Sequence, residues 1–273
     1  MIARSYSPHC LAAALAVTLC ASTSAPAQSQ ELFTPQVGQA GKDVIWVPTP
    51  PTLVERMLDL ADVTPQDFVI DLGSGDGRNV IAAARRGAQA LGVEYNPQMV
   101  ELSKHNAAEA GVADQVTFVE GDMYQADISQ ANVLALFLLP GNMLQLRQKF
   151  LDLQPGSRIV SNTFGIEGWT PDETVTIEND CSAWCTALLW IVPAKVGGTW
   201  HLDQGELALS QHFQIVTGTL RGMPISNGRL RGDGISFTVD SIGYAGRVSG
   251  DRIEGTMIDG GLQVPWTATR AAP

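Results

Sequence analysis

The stretch Val-Ile-Asp-Leu-Gly-Ser-Gly-Asp-Gly-Arg, residues 69–78, constrains this chain more than any other segment. A short apolar run, Phe68-Val69-Ile70, ends in the acid Asp71. Gly73, Gly75 and Gly77 then alternate with Ser74 and Asp76, and an alanine-rich helical pattern follows over residues 79–86. Strand, glycine loop, helix is the order that a nucleotide-type ligand requires. The glycines let the backbone turn tightly and approach a ligand, and the helix start offers free amide hydrogens. A dinucleotide fingerprint would place its third glycine where Arg78 stands. Asp71 and Asp76 would also set like charge against a pyrophosphate.

A ligand with an ammonium and a sulfonium, and no phosphate, suits this loop better than a nicotinamide dinucleotide, its rival within the same fold class. S-adenosylmethionine is that ligand. Residues 90–94 read as a second short strand ending in Glu94, about 20 residues past the first glycine, where a carboxylate can accept from ribose hydroxyls. Residues 116–120 form a third strand, closed by Gly121-Asp122-Met123. Asp122 offers a carboxylate to the adenine amino group and Met123 a thioether to the ring. Asp71 and the loop from Gly73 to Gly77 are left to hold the methionine part. The plainer alternatives are Glu94 as a surface acid and Met123 as core filler. Residues 132–139 are continuously apolar, as expected of a strand buried on both faces.

Asp71-Leu-Gly-Ser-Gly-Asp-Gly77, Glu94 and Gly121-Asp122 resemble the seven-stranded, class I S-adenosylmethionine-dependent methyltransferases. Trp46-Val-Pro-Thr-Pro50, Leu136-Phe-Leu-Leu-Pro140 and Pro155-Gly-Ser-Arg-Ile-Val-Ser161 narrow the likeness. They are similar to a group holding the ATP synthase c-subunit lysine methyltransferase and archaeal protein lysine methyltransferases. The resemblance covers residues 44–172, with Trp46 where a tyrosine is expected. It implies an intracellular enzyme acting on a protein lysine amine. A small-molecule acceptor stays open, because no Asn-Pro-Pro-Tyr loop follows the fourth strand; Leu138-Leu139-Pro140-Gly141 stands there. Trp46, Thr49, Leu139 and Pro140 are candidates for the acceptor rim. Methyl transfer to a neutral amine needs positioning more than acid–base help, so no catalytic base is named.

The N-terminus disagrees with an intracellular location. Arg4, an apolar run over residues 11–19 and Ala25-Pro26-Ala27 describe a cleaved secretory signal, cut after Ala27. The expectation is an exported, periplasmic protein. The alternative is a mis-set start and a cytoplasmic one. Export strains the enzyme reading, since the cofactor is made in the cytoplasm, so a non-catalytic ligand-binding module of the same fold is a further alternative. The run is too short to remain as a membrane span.

Net charge is −11, with 17 Lys and Arg against 28 Asp and Glu. That argues against a nucleic-acid partner, whose binding rests on phosphate neutralisation, and suits a cationic cofactor with a basic or neutral acceptor. Cys10 and Cys20 leave with the signal. Cys181 and Cys185 remain, four apart, within disulfide reach in a turn and beyond it in a strand. A bridge and ordinary buried thiols both stay open. The histidines show no spacing that would complete a metal site.

Along the chain, residues 28–43 read as a polar leader without period, and 52–61 as an amphipathic helix. Helices are expected at 98–110 and 142–153, and final strands at 174–177 and 186–192 as one antiparallel pair at an edge. After Pro193 glycines become frequent. Three segments starting at Gly218, Gly228 and Gly246 share glycine, an apolar residue two later, glycine again, then isoleucine. Such hairpin signals predict an antiparallel meander curled into a barrel or half-barrel. Trp200 and Trp266, near its two ends, are expected to pack in its core and could close it against each other, with the lining of a ligand mouth as the alternative. The division is therefore a signal over 1–27, a leader over 28–43, an α/β Rossmann-like seven-stranded methyltransferase domain over 44–195 and a β module over 196–273.

Overall fold

The computed structural model describes residues 1–3, 32–178 and 181–271. All but the first three residues of the expected signal segment, its cut after Ala27 and the first part of the leader fall at residues outside that set. Among the described residues no helix is long and apolar enough to cross a membrane.

The glycine loop sits where an open α/β sheet changes direction. Seven strands form this sheet: β1 (Phe68–Leu72), β2 (Gln89–Glu94), β3 (Val116–Glu120), β4 (Val133–Leu136), β5 (Arg158–Asn162), β6 (Glu173–Thr176) and β7 (Thr186–Ile191). Their spatial order is β3-β2-β1-β4-β5-β7-β6. The first five run parallel, linked by helices α2 (Arg78–Arg85), α3 (Pro97–Glu109) and α4 (Pro140–Leu151), with α1 (Pro51–Leu60) preceding β1. Val133, Leu134, Ala135 and Leu136 of β4 have no exposed surface, which accounts for the unbroken apolar run there. Because β2 and β4 lie on opposite sides of β1, a crevice opens at the carboxyl ends of β1 and β4.

The last two strands form the expected antiparallel pair at the edge, with β7 lying next to β5 and running against it as well. One expectation needs correction. Helix α4 starts at Pro140, not at 142. Pro140 has no amide hydrogen to lose and a fixed φ, and it takes the first helical position with Leu139 as the cap.

Strands β8 (Gly198–Leu202), β9 (Gly205–His212), β10 (Ile215–Leu220), β11 (Met223–Arg231), β12 (Gly234–Val239), β13 (Ile242–Ser249), β14 (Arg252–Asp259) and β15 (Leu262–Arg270) close into an antiparallel barrel. The repeat supplies its corners. A Cβ on Gly218 would lie 1.9 Å from the Ala208 carbonyl oxygen, and one on Gly228 2.0 Å from that of Val216. Only glycine permits strand backbones to cross that closely. Register shifts in the β10–β11 and β11–β12 pairings fall in the same stretch and bend the sheet toward closure. Trp200 and Trp266 are both buried but pack apart. Trp266 meets Phe237 and Tyr244 edge-on, at 5.9 and 5.6 Å, while Arg270 covers the Trp200 ring at 4.2 Å.

The barrel is docked on the sheet through the β9–β10 turn. Phe213 stacks flat on Trp169 at 5.5 Å, and Gln214, 2% exposed, donates to the Thr170 carbonyl at 2.7 Å. Arg229 pairs with Asp172 at 2.7 Å, and the Asp172 side chain has no exposed surface.

Candidate active site

Gly73 and Gly75 carry the loop across the crevice with φ of 74° and 56°, a region open to glycine and rarely to other residues. Gly73 and Ser74 both donate to the Val93 carbonyl, and Gly75 donates to Glu94 Oε2 at 3.0 Å. The end of β2 thereby fixes the shape of the loop that follows β1. Glu94 Oε1 also accepts from the Asn96 amide at 2.9 Å. Asn96 in turn caps α3 by accepting from Gln98.

A cavity lies over this loop. Asp71, Gly73, Ser74, Gly75, Asp76, Glu94, Asp122 and Met123 line it, together with Trp46 and Thr49. Three expected residues do not. Gly77 caps α2 instead, and a Cβ there would meet Phe118 at 2.8 Å, so its glycine serves helix packing. Leu139 and Pro140 begin α4, and Phe137, two residues earlier, takes the rim position.

Each acid has its own setting. Asp71, 3% exposed, accepts from Asn79 Nδ2 at 3.1 Å, and burial pushes its carboxyl well above the ordinary carboxylate value. Asp76 is held bidentate by Arg78, at 2.9 and 2.5 Å, and Arg78 also reaches the Thr49 carbonyl. Arg78, standing where a dinucleotide loop has glycine, therefore neutralises an acid of its own loop. Asp122 accepts from Lys42 Nζ at 2.7 Å and from the Tyr124 amide at 2.8 Å. The lysine contact foremost lowers the Asp122 pKa and raises that of Lys42.

Lys42 exposes what the sequence concealed. Residues 38–46 fold into a small hairpin over the cavity. Gly38 donates to Trp46, Trp46 to Gln39, and Gly41 to Val44, each at 2.9 Å. A Cβ on Gly41 would sit 2.4 Å from the Val44 oxygen. The hairpin crosses residue 44, so the leader joins the pocket rather than preceding it. Lys42 also lies over the Tyr95 ring at 4.9 Å, and Trp46 Nε1 would be 2.8 Å from a Cβ on Gly75. Tyr95, Asn96 and Met99 complete the wall. Backbone hydrogen bonds, without side-chain period, make this strap, which is why the sequence points only to Trp46 and Thr49 within it and beside it. Among the described residues no three His, Cys, Asp or Glu side chains converge as metal ligands.

The cavity fits S-adenosylmethionine by its own chemistry. Ser74 Oγ and Asn79 Oδ1 are buried without hydrogen-bond partners, and both residues line it. The lining holds Asp43, Asp71, Asp76, Glu94 and Asp122 against Lys42 and Arg78. That balance favours a cationic ligand.

A family model described as the ANTKMT methyltransferase domain matches residues 71–173. A protein-lysine N-methyltransferase of Saccharolobus islandicus is 40% identical over 139 residues, which are 50% of this chain and 86% of that protein. The human lysine N-methyltransferase of the ATP synthase c-subunit is 38% identical over 148 residues, covering 54% of this chain and 59% of the human protein. This chain thus spans only about three fifths of that relative. A crystal structure described as an RNA methyltransferase from Salinibacter ruber in complex with S-adenosyl-L-homocysteine is 47% identical. It superposes with a TM-score of 0.52 over 55% of this chain and 96% of that one.

Proposed function

Given that this chain belongs to the S-adenosylmethionine-dependent methyltransferases of the ANTKMT and protein-lysine N-methyltransferase group, we propose that its acceptor is a lysine amine of a protein. The observation that carries this is the 40% identity over 86% of the archaeal lysine enzyme. When bound, the cofactor supplies a sulfonium methyl group, which passes to the amine lone pair while the C–S electron pair returns to sulfur and the amine sheds a proton to water.

The chain's own residues position these partners. Asp71, the Gly73 carbonyl and Asn79 Oδ1 accept from the ammonium of the methionine part, and the Ser74 hydroxyl donates to its carboxylate. Glu94 orders the loop and accepts from the ribose. Asp122 and Met123 serve the adenine, with Lys42 holding the strap against Asp122. Holding donor and acceptor in line accounts for most of the rate, without a dedicated base.

An RNA acceptor is the second reading, favoured by the description of the Salinibacter structure. The net charge of −11 weighs against it. Transfer of labelled methyl groups into cell extract, with protease, ribonuclease and size-fractionation arms, decides. Protease-sensitive label hydrolysing to methyl-lysine supports the proposal. Label lost only to ribonuclease, or found only below peptide size, overturns it.

Export to the periplasm is part of the same proposal. Its support within the described residues is the disulfide between Cys181 and Cys185, whose Cα atoms are 5.8 Å apart. Such bonds persist in oxidising compartments. Cell fractionation with N-terminal sequencing tests it, and a cytoplasmic chain beginning at Met1 refutes it.

A further inference from the structure

The β6–β7 loop closed by that disulfide carries a tryptophan whose position the cofactor does not explain. Trp184 is 42% exposed and holds φ at 59°, a left-handed conformation that costs a bulky residue energy. Its ring lies 5.2 Å from Phe164 and 6.1 Å from Phe137. Phe164 and Phe137 stack on each other at 6.0 Å, and Phe137 lines the cofactor cavity. Thr163, beside Phe164, also stands at positive φ, 60°, although it is β-branched. Two strained backbone positions on separate elements thus present three aromatic rings as one wall at the cavity mouth. Strain of this kind persists where the surrounding structure enforces it, and it clusters at functional sites.

Polar groups beside the wall point the same way. Asn162 is fully buried, its Nδ2 meets Thr49 of the cavity lining at 3.3 Å, and its Oδ1 has no partner. Thr163 Oγ1 is likewise buried and unpartnered. Both are acceptors, suited to an amine that brings hydrogens. The rings suit the rest of such a ligand: an aliphatic stem packs on them, and a cation within about 6 Å of a ring centroid is attracted by its face.

We propose that Phe137, Phe164 and Trp184 form the acceptor wall, which binds the stem and cationic head of an alkylammonium side chain beside the methyl donor, with the Cys181–Cys185 bridge holding Trp184 in place. This rests on the lysine reading and deepens it. Trp184 lies outside the segment 71–173 that the family model matches.

The test uses the full chain saturated with S-adenosylhomocysteine. It is titrated with a pentapeptide bearing Nε-trimethyl-lysine and with the same peptide bearing the neutral carbon isostere. The cationic peptide is expected to bind about tenfold tighter. Trp184→Ala should erase that preference, Trp184→Phe should keep most of it, and dithiothreitol should reduce it. S-adenosylhomocysteine affinity should hold in each case, which also reports folding. Equal affinity for the two peptides, no binding of the cationic one at millimolar concentration, or a preference surviving in Trp184→Ala overturns the wall. Label from the extract assay found only in RNA or small molecules, beside an intact cation preference, would instead remove the lysine reading and leave the wall standing.

Discussion

The open sheet and the closed barrel of this chain solve the same problem, burying apolar strand faces, with opposite consequences for chemistry. In the sheet the order reverses between β2 and β4 around β1, so loops diverge at the carboxyl ends and leave a cavity. In the barrel each strand has two partners, and the interior is filled by Trp200, Phe237, Tyr244 and Trp266. Closure removes edges, and side chains occupy the space a ligand would use. Reactive potential belongs to the region whose topology leaves a gap.

That contrast is broken most strongly at the loop itself. Gly75→Arg is expected to abolish S-adenosylhomocysteine binding, a loss of at least about 100-fold, since even a Cβ meets Trp46 and φ is 56°. Titration calorimetry reads it, and retained affinity would place the ligand elsewhere. Next come changes that separate the two regions. Phe213→Ala removes the stack on Trp169 and should lower stability by about 2–3 kcal/mol in denaturant unfolding. A chain ending at Pro193 should keep cofactor binding but lose solubility, because the Trp169 face is uncovered. A soluble truncation with no affinity for the cofactor would assign the barrel a share in that site.

Asp71→Asn should act in opposite directions on binding and on stability. Loss of a carboxyl that can ionise beside the cofactor ammonium should weaken S-adenosylhomocysteine binding about tenfold at pH 8. Because burial raises the Asp71 pKa, the folded state holds a proton that the unfolded chain has released, and stability falls as pH rises through the window above the ordinary carboxylate value. The variant should therefore melt above the parent protein at pH 8, with the gap closing on acidification. A variant melting lower at pH 8 would contradict the assigned burial cost. The smallest effect is expected for Lys42→Met, which releases the strap from Asp122. A rise of about threefold or less in the cofactor off-rate, measured by stopped flow, fits an exposed ion pair.

Legibility followed the same division. The glycine loop, Glu94 and Asp122 could be read because strand, turn and helix each leave a local signature. The barrel could be read as hairpins, since its Gly-Asp turns are local too, whereas Asn227-Gly228 lies inside β11 at a register shift and makes no turn. The sequence left barrel and half-barrel open, because the β8–β15 pairing that closes the ring joins Trp200 to Arg270 across most of the module. The Lys42 strap and the Phe164–Trp184 contact escaped for the same reason: both are long-range meetings with no period. Gly77 misled because its glycine answers a packing need against Phe118, which looks identical in sequence to a ligand's need.

The barrel's seam carries a consequence for how the protein is made. β8 is among the first of its strands to be synthesised and β15 the last, yet the two must pair to complete the ring. Until Thr269 and Arg270 emerge, the flank of β8 that will receive them has no neighbour, whereas the sheet can assemble from earlier segments. Long-range pairing of this kind is slow, because chain closure must precede any gain in contacts. The barrel is therefore the late-folding half, and shortening the chain by even its final strand leaves a ring that cannot shut.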